Sequence, residues 1–400
     1  MQTPRINWAL FITYTIASLA ILIAALVSPA VRTAAPAPLR DVILPPPKPV
    51  TITLLYSTEK EEWLKEVIPL FESSRIRVNG KPIKIETDLM GSREMVLAVM
   101  DGEQKPVVLS PASSLQVSIL EDQSAARYGR PYVVTNDNSV CRSVLKTPLV
   151  LVAWEERARV LWGNEPPGDL WRQLHDDLVN PQGWQAFNHP EWGYIKFGHT
   201  NPLGSNSGLM TILLMSYDFF NKTSGLESGD ILSNMSYQRW FIDLETSIPA
   251  FGDSTGTYMK DIIAYGPSVY DIVAVYESVA IENAENAVGK YGALRVYYPP
   301  ATIVSDHPFC IMDAEWVDDE QRQAAAKFID FILQPEAQQL ALDKYGYRPA
   351  EASIPLDGAG SPFLRYQDNG LRITLPPEID LPDGSTLNTL LDFWARNIDR

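Results

Sequence analysis

Residues 50–71, VTITLLYSTEKEEWLKEVIPLF, decide the fold because a buried strand passes directly into an amphipathic helix. The β-branched and apolar run Val50–Tyr56 predicts a strand that is covered on both faces. Ser57 and Thr58 are typical of a helix start, and the apolar residues that follow recur at helical spacing. Pro69 predicts a kink in this helix, since proline removes a backbone donor.

Strands and helices alternate through the rest of the chain. Further buried strands are predicted at 83–89, 106–109, 147–154, 271–276 and 308–313, and helices at 92–100, 209–220, 257–265, 321–333 and 335–344. Such alternation indicates a parallel sheet whose faces are covered by helices. The length of the body, about 350 residues, suggests two domains.

The N-terminal region predicts where the body is located. Trp8–Val27, WALFITYTIASLAILIAALV, is uncharged and long enough to cross a bilayer as a helix, which takes about 20 residues. Secretory hydrophobic cores are shorter, about 7 to 15 residues, so a retained signal anchor is favoured over a cleaved signal peptide. Cleavage stays open because small residues follow the run. We therefore interpret residues 1–28 as a signal anchor or signal peptide, with the body outside the cytoplasmic membrane.

A proline-rich linker, residues 29–49, follows this run and predicts an extended spacer rather than part of a core. The chain carries 49 acidic and 33 basic residues, a net charge of −16, which disfavours nucleic acid and anionic lipid as partners. Its four histidines form no metal-ligand pair, and no glycine-rich nucleotide fingerprint occurs. We therefore expect neither a metal nor a cofactor.

Hydroxyl and amide side chains follow four of the predicted strands, each just ahead of a helix. They are Ser57-Thr58, Ser113-Ser114, the segment 201–208 and Ser254-Thr255. Ligands of open α/β sheets bind beyond the carboxyl ends of the strands, and helix N-termini suit anionic or hydroxyl-rich ligands. Any one of these segments alone is typical of an ordinary helix cap. Four together predict a binding cleft.

Residues 252–256, GDSTG, match the G-x-S-x-G pattern of a serine-hydrolase nucleophile. The preceding segment contains Pro249 and makes a poor central strand. The histidine that the hydrolase order requires downstream would have to be His307. A hydrolase with Ser254 as nucleophile is therefore an alternative, and we assign no catalytic residue and expect no enzyme.

Six segments spread over the body carry a family resemblance. They are ITLLYSTEKEEWLKEVIPLFE (52–72), PVVLSPASS (106–114), CRSVLKTPLVLVAW (141–154), FGHTNPLGSNSGL (197–209), YDIVAVYESVAI (270–281) and QPEAQQLALDKYGYRP (334–349). With them the chain resembles bacterial extracellular solute-binding proteins of the type II periplasmic class, near the branch of molybdate, sulfate and ferric-ion binders. The last segment is the most specific of the six.

The resemblance implies an α/β fold of two lobes with the binding cleft between them. Lobe 1 would comprise residues 50–148 and 308–400, and lobe 2 residues 149–307. Two crossing strands, 147–154 and 302–313, would form the hinge.

The resemblance also implies ligand contacts from both lobes. They are Ser57, Thr58, Ser113 and Ser114 on lobe 1, and Asn201, Ser205, Asn206, Ser207, Tyr276 and Glu277 on lobe 2. No cluster of Arg or Tyr residues marks a sulfate or iron site, and Glu277 would repel an oxyanion unless it is paired. The ligand class therefore stays open, with an oxyanion among the candidates.

In function, the resemblance implies a monomeric binding protein that captures a small hydrophilic solute for ABC-type uptake or sensing. Its partner would be an ABC transporter permease or a membrane sensor. A membrane-anchored interaction module that reuses the fold is the alternative from another class, since it would bind a partner domain instead of a free solute.

Cys141 and Cys310 are the only cysteines of the chain. An oxidising compartment permits a disulfide between them, whereas two buried free thiols are the alternative. In the implied topology both cysteines lie beside the hinge strands. Antiparallel neighbouring strands would bring them within bridging reach, so we predict a Cys141–Cys310 disulfide.

Overall fold

A computed structural model describes residues 8–28 and 47–398. Residues 29–46, which include most of the predicted linker, lie outside the described part of the chain. The apolar run Trp8–Val27 is a single helix, α1, and its length and composition suffice to cross a membrane. A signal sequence would satisfy the same two criteria.

The body contains both helices and strands throughout. Its helices in chain order are α2 (Glu61–Ser73), α3 (Ser92–Met100), α4 (Ser114–Tyr128), α5 (Glu155–Leu161), α6 (Leu170–Val179), α7 (Asn206–Phe219), α8 (Ser228–Ser233), α9 (Met235–Thr246), α10 (Thr255–Tyr265), α11 (Glu277–Val288), α12 (Asp319–Ile332), α13 (Pro335–Tyr345), α14 (Pro362–Arg365) and α15 (Gly384–Asn397). Its strands are β1 (Val50–Ser57), β2 (Arg77–Val78), β3 (Lys81–Met90), β4 (Val108–Ser110), β5 (Cys141–Ser143), β6 (Leu145–Trp154), β7 (Phe197–Gly198), β8 (Ile272–Tyr276), β9 (Leu294–Tyr297), β10 (Val304–Ser305), β11 (Pro308–Ile311) and β12 (Arg348–Pro349).

Lobe 1 is built on a sheet of order β2-β3-β1-β4-β11-β5. β1 runs parallel to β3 and β4, whereas β11 is antiparallel to both β4 and β5. The apolar faces of α2, α4 and α12 pack on this sheet in one hydrophobic cluster that includes Trp63, Phe309 and Phe328. Pro69 lies inside α2 without ending it.

Lobe 2 is organised around β6, which is antiparallel to β8 and to β9. β7 runs parallel to β8 on the far side. The sheets of both lobes are therefore mixed rather than purely parallel, because the returning strands run antiparallel. Helix α7 is buried over nearly its whole circumference, as is typical of a central core helix.

The lobes are joined by strands that cross between them. The first residues of β6 pair with β12, and later residues of the same strand pair with β8. The chain returns through β10, which pairs with β6, and β11, which lies in the lobe 1 sheet. These crossings coincide with the predicted hinge segments, and the predicted two-lobed α/β fold is confirmed.

The C-terminal segment differs from the sequence expectation. Helices α12 and α13 pack on lobe 1, but the apolar residues of 363–398 belong to the hydrophobic cluster of lobe 2. The reason is the stripe of Leu387, Leu391 and Trp394 on α15, which is buried against lobe 2. The return part of lobe 1 therefore ends near residue 350, not at 400.

The disulfide prediction can be tested directly. Cys141 lies opposite Cys310 on the antiparallel strands β5 and β11, and the two are joined by a disulfide.

Because this bond restricts the unfolded chain over 169 residues of sequence, we expect reduction to lower the free energy of unfolding by about 2–4 kcal/mol. Peptide mapping without reductant should find the linked peptide. Two freely alkylated thiols in the folded protein would contradict it.

Candidate functional site

Four helices begin at the boundary between the lobes. α3 and α4 start there from lobe 1, and α7 and α10 start there from lobe 2. Each follows the carboxyl end of a strand or an extended segment, where unpaired N–H groups and the helix dipole favour polar ligands. The four predicted hydroxyl and amide segments all lie at or beside this boundary.

The lobes contact each other directly through hydrogen bonds. The backbone N–H groups of Arg93 and Glu94, at the start of α3, donate to the carbonyl of Gly204 in lobe 2 at 3.1 and 3.3 Å. The N–H of Gly256 donates to Thr58 Oγ1 at 3.4 Å. The lobes are therefore in direct contact, and at Gly91 an added Cβ would lie 2.8 Å from the Gly204 oxygen.

Asn206 links both lobes and the hinge. Its Oδ1 accepts a hydrogen bond from Gln116 Nε2 of lobe 1 at 3.0 Å. Its Nδ2 donates to the hydroxyl of Tyr276 at 2.9 Å and to that of Ser305 in the hinge at 3.4 Å. Since all four side chains are buried, this network has almost no competition from water.

A cluster of hydroxyl groups lies beside Asn206. Ser207 Oγ is 2.7 Å from Thr200 Oγ1 and 2.6 Å from Thr255 Oγ1, and Ser205 Oγ lies 3.4 Å from it. All four hydroxyls are buried. Asn201, the remaining predicted residue of this loop, accepts a hydrogen bond from the N–H of Leu203 at 2.8 Å and so stabilises the turn.

A buried lysine lies at the end of β1, and the sequence analysis missed it. Lys60 is 0% exposed. Its ammonium group donates to Ser57 Oγ, to the carbonyl of Pro111 at 3.1 Å and to His307 Nδ1 at 3.2 Å. These bonds use all three N–H groups of the ammonium. Burial lowers the pKa of Lys60 to about 8, although the Glu59 carboxylate 3.6 Å away opposes this shift.

His307 is the second buried group that sequence reasoning did not assign to the cleft. An ammonium can only donate, so with Lys60 charged we assign the ring proton to Nε2, which has no protein partner. The Glu59 carboxylate lies 3.4 Å from the same Nδ1. Burial and the neighbouring Lys60 charge hold the pKa of His307 well below its ordinary value. His307 is therefore a neutral donor that is packed edge-on against Tyr276 and Tyr347.

Ser113 and Ser114 form the start of α4, and Asp306 completes it. Ser113 Oγ accepts from the N–H of Leu115 at 3.2 Å, which is an ordinary helix cap. The N–H of Ser114 donates to Asp306 Oδ1 at 2.7 Å, and its hydroxyl donates to the other carboxylate oxygen. A hinge carboxylate therefore occupies the N-terminus of α4.

Glu277 is held by a cation instead of facing an open space. Arg348 donates from Nε to Oε1 and from Nη2 to Oε2, both at 2.8 Å, and the hydroxyl of Tyr298 donates to Oε2. Burial raises the pKa of Glu277, and the Arg348 bonds oppose that rise. The repulsion that an unpaired Glu277 would exert on a ligand is thereby removed. Arg348 lies within the last of the six resembling segments.

Ser254 does not form the pair that a hydrolase requires. Its hydroxyl donates to Thr257 Oγ1 at 3.1 Å at the start of α10. The histidine proposed as its base, His307, engages Lys60 instead. Among the described residues no group of three or more His, Cys, Asp or Glu side chains is suited to a metal ion.

A mixed α/β protein of two lobes, with polar helix starts converging between them, has the architecture of a solute-binding protein. The family model of bacterial extracellular solute-binding proteins matches residues 52–348. The chain belongs to this family. Members of this family are extracellular solute-binding proteins.

Solved structures share the fold. A periplasmic thiamin binding protein has a TM-score of 0.61 at 12% identity, with 89% of this chain and 99% of that chain covered. The substrate binding protein of an ABC transporter from Agrobacterium tumefaciens has a TM-score of 0.57 at 12% identity, with 88% of this chain and 94% of that chain covered. The sulfate-binding protein SubI from Mycobacterium tuberculosis has a TM-score of 0.55 at 16% identity, with 88% of this chain and 98% of that chain covered. A comparison with curated proteins gives no significant match.

The Glu277–Arg348 pair yields a stability prediction. Glu277→Ala leaves the buried guanidinium unpaired, so we expect a loss of about 3–5 kcal/mol in the free energy of unfolding. Glu285→Ala on the same helix is the matched control. Its ion pair with Arg365 is exposed, so the change should stay below about 1 kcal/mol. Urea unfolding measures both, and equal losses would contradict the assignment.

Lys60 yields a pH prediction. Its pKa in the folded protein, about 8, lies below that of the unfolded chain, so burial of the charge costs stability below pH 8. This cost disappears as the pH rises from 8 towards 10.5, with a slope of up to about 1.4 kcal/mol per pH unit. The difference in unfolding free energy between the wild type and Lys60→Met should change over this interval. Lys105→Met, at an exposed lysine, should give a constant difference from the wild type. A constant difference for Lys60→Met would contradict the prediction.

Proposed function

We propose that this chain captures a small hydrophilic solute between its lobes. The observation that carries the proposal is a set of buried polar groups at the lobe boundary that have no protein partner: Gln116 Oε1, His307 Nε2 and Ser110 Oγ. Each residue is 0% exposed, and an unpaired buried group costs about 1–3 kcal/mol. A bound polar molecule would relieve that cost.

The proposed contact set keeps five of the ten residues inferred from sequence, because protein groups engage Thr58, Ser114, Asn201 and Tyr276. Asn206, Ser205 and Ser207 contribute from lobe 2, and Ser57 and Ser113 from lobe 1. A ligand that bonds to both lobes favours the closed form, since its contacts are complete only there. Glu277 contributes indirectly, through its pair with Arg348.

The position of the body relative to the membrane is part of the proposal. Helix α1 would remain as an anchor, and the proline-rich linker would hold a monomeric body off the membrane surface. An ABC permease would receive the solute. An anchored sensor is a second candidate, which the direct bonds from Arg93 and Glu94 to Gly204 favour because they join the lobes through protein groups.

A thermal-shift screen of the full chain in detergent tests solute capture. We expect one class of small polar solute to stabilise the protein by about 2.7 kcal/mol at 100 times its dissociation constant. No stabilisation by any class would contradict solute capture and favour the sensor.

The double substitution Ser205→Ala/Ser207→Ala tests the contact set in the same assay. Each hydrogen bond to a desolvated ligand contributes on the order of 1 kcal/mol or more, so the affinity should fall more than tenfold. Ser361→Ala is the control, because Ser361 is a buried helix-capping serine in the C-terminal segment. An unchanged affinity in the double variant would mean that these serines only support the loop.

A further inference from the structure

The N-terminus of α4 already holds an anion. α4 is a 15-residue helix, and such an N-terminus attracts phosphate, sulfate or carboxylate groups. The carboxylate of Asp306 accepts from both the N–H and the hydroxyl of Ser114. Asp306 lies between β10 and β11, in the strand that returns through the hinge. The chain therefore supplies its own anion at the place where an oxyanion ligand would be held.

Three further donors near this boundary are occupied as well: two backbone N–H groups of α3 and the Lys60 ammonium. The N–H groups of Arg93 and Glu94 at the start of α3 donate to the Gly204 carbonyl. The ammonium of Lys60 donates its three N–H groups to Ser57 Oγ, the carbonyl of Pro111 and His307 Nδ1. Asp306 and Glu59 also place two negative charges beside this single ammonium.

The fully buried residues with a free polar atom at the lobe boundary are neutral, whereas the half-buried Arg93 has a free Nη1. Gln116 gives its Nε2 to Asn206, so its free atom, Oε1, is an acceptor. His307 accepts from Lys60, so its free atom, Nε2, is a donor. A neutral donor and a neutral acceptor complement hydroxyl or amide groups.

We propose that Asp306 acts as a built-in anion that excludes oxyanions, so that the cleft takes an uncharged molecule carrying hydroxyl or amide groups. This inference rests on the proposed solute capture and names its ligand class. The free donor of His307 and the free acceptor of Gln116 are the groups that such a ligand would satisfy.

The test compares three sets of probes on the full chain in detergent at matched ionic strength. The probes are sulfate, phosphate and molybdate; glucose, myo-inositol, N-acetylglucosamine and nicotinamide; and choline and putrescine. Wild type should show no rise in melting temperature with 5 mM oxyanion. The substitution Asp306→Ala removes the carboxylate from the start of α4. The melting temperature of this variant should rise by at least about 2 °C with sulfate or phosphate.

Asp318→Ala is the control, because the Asp318 carboxylate accepts from the N–H of Gln321 at the start of α12, a helix start that is not part of the cleft. This variant also loses a capping carboxylate, but oxyanions should not raise its melting temperature. If Asp306→Ala does not fold, Asp306→Ser gives the same readout, since its shorter side chain also withdraws the carboxylate.

Oxyanion stabilisation of the wild type would overturn the proposal and point to Arg93, whose buried Nη1 has no partner. Equal responses of Asp306→Ala and Asp318→Ala would overturn it too, as would stabilisation of the wild type by a cationic probe. Stabilisation by an uncharged probe supports both solute capture and the ligand class. If no probe stabilises the wild type but Asp306→Ala gains sulfate binding, solute capture fails while the built-in anion is supported.

Discussion

The amide of Asn206 is the contact on which the cleft depends. It bonds to Gln116 of lobe 1, to Tyr276 of lobe 2 and to Ser305 of the hinge. An amide can bridge three partners in this way because it carries both an acceptor and two donors. Its position at the start of α7, a helix buried in the core of lobe 2, gives it a rigid support.

Two buried charges near the place where the lobes meet, those of Glu277 and Lys60, are compensated by neighbouring groups. Glu277 has Arg348 and Tyr298, and Lys60 has Ser57, His307 and the nearby Glu59. Such groups stabilise a fold less than their attraction suggests, because both charges must leave water. Their value lies in position: they fix β1, the hinge and β12 relative to one another where the lobes meet.

Each lobe has its own core, and a shared strand joins them. β6 begins beside β12 and ends in the lobe 2 sheet beside β8 and β9. The disulfide lies on one side of this crossing, since Cys141 and Cys310 both belong to the lobe 1 sheet. It can thus stabilise lobe 1 without tying it to lobe 2, which leaves hinge motion to β6 and to the return through β10.

The sequence by itself determined the elements and the four polar helix starts, because apolar periodicity and capping residues act within a few positions. It placed Ser57, Ser114, Asn206 and Ser207 at the lobe boundary. It assigned residues 350–398 to lobe 1, because an apolar stripe such as that of α15 predicts that a helix is buried but not which lobe it packs against. Only the tertiary structure decided that Lys60 meets His307 across 247 residues of sequence, that Asp306 caps α4, and that Arg348 neutralises Glu277. The physical reason is that a buried charge takes its partner from whatever folding brings within hydrogen-bond reach, and no local pattern records that choice.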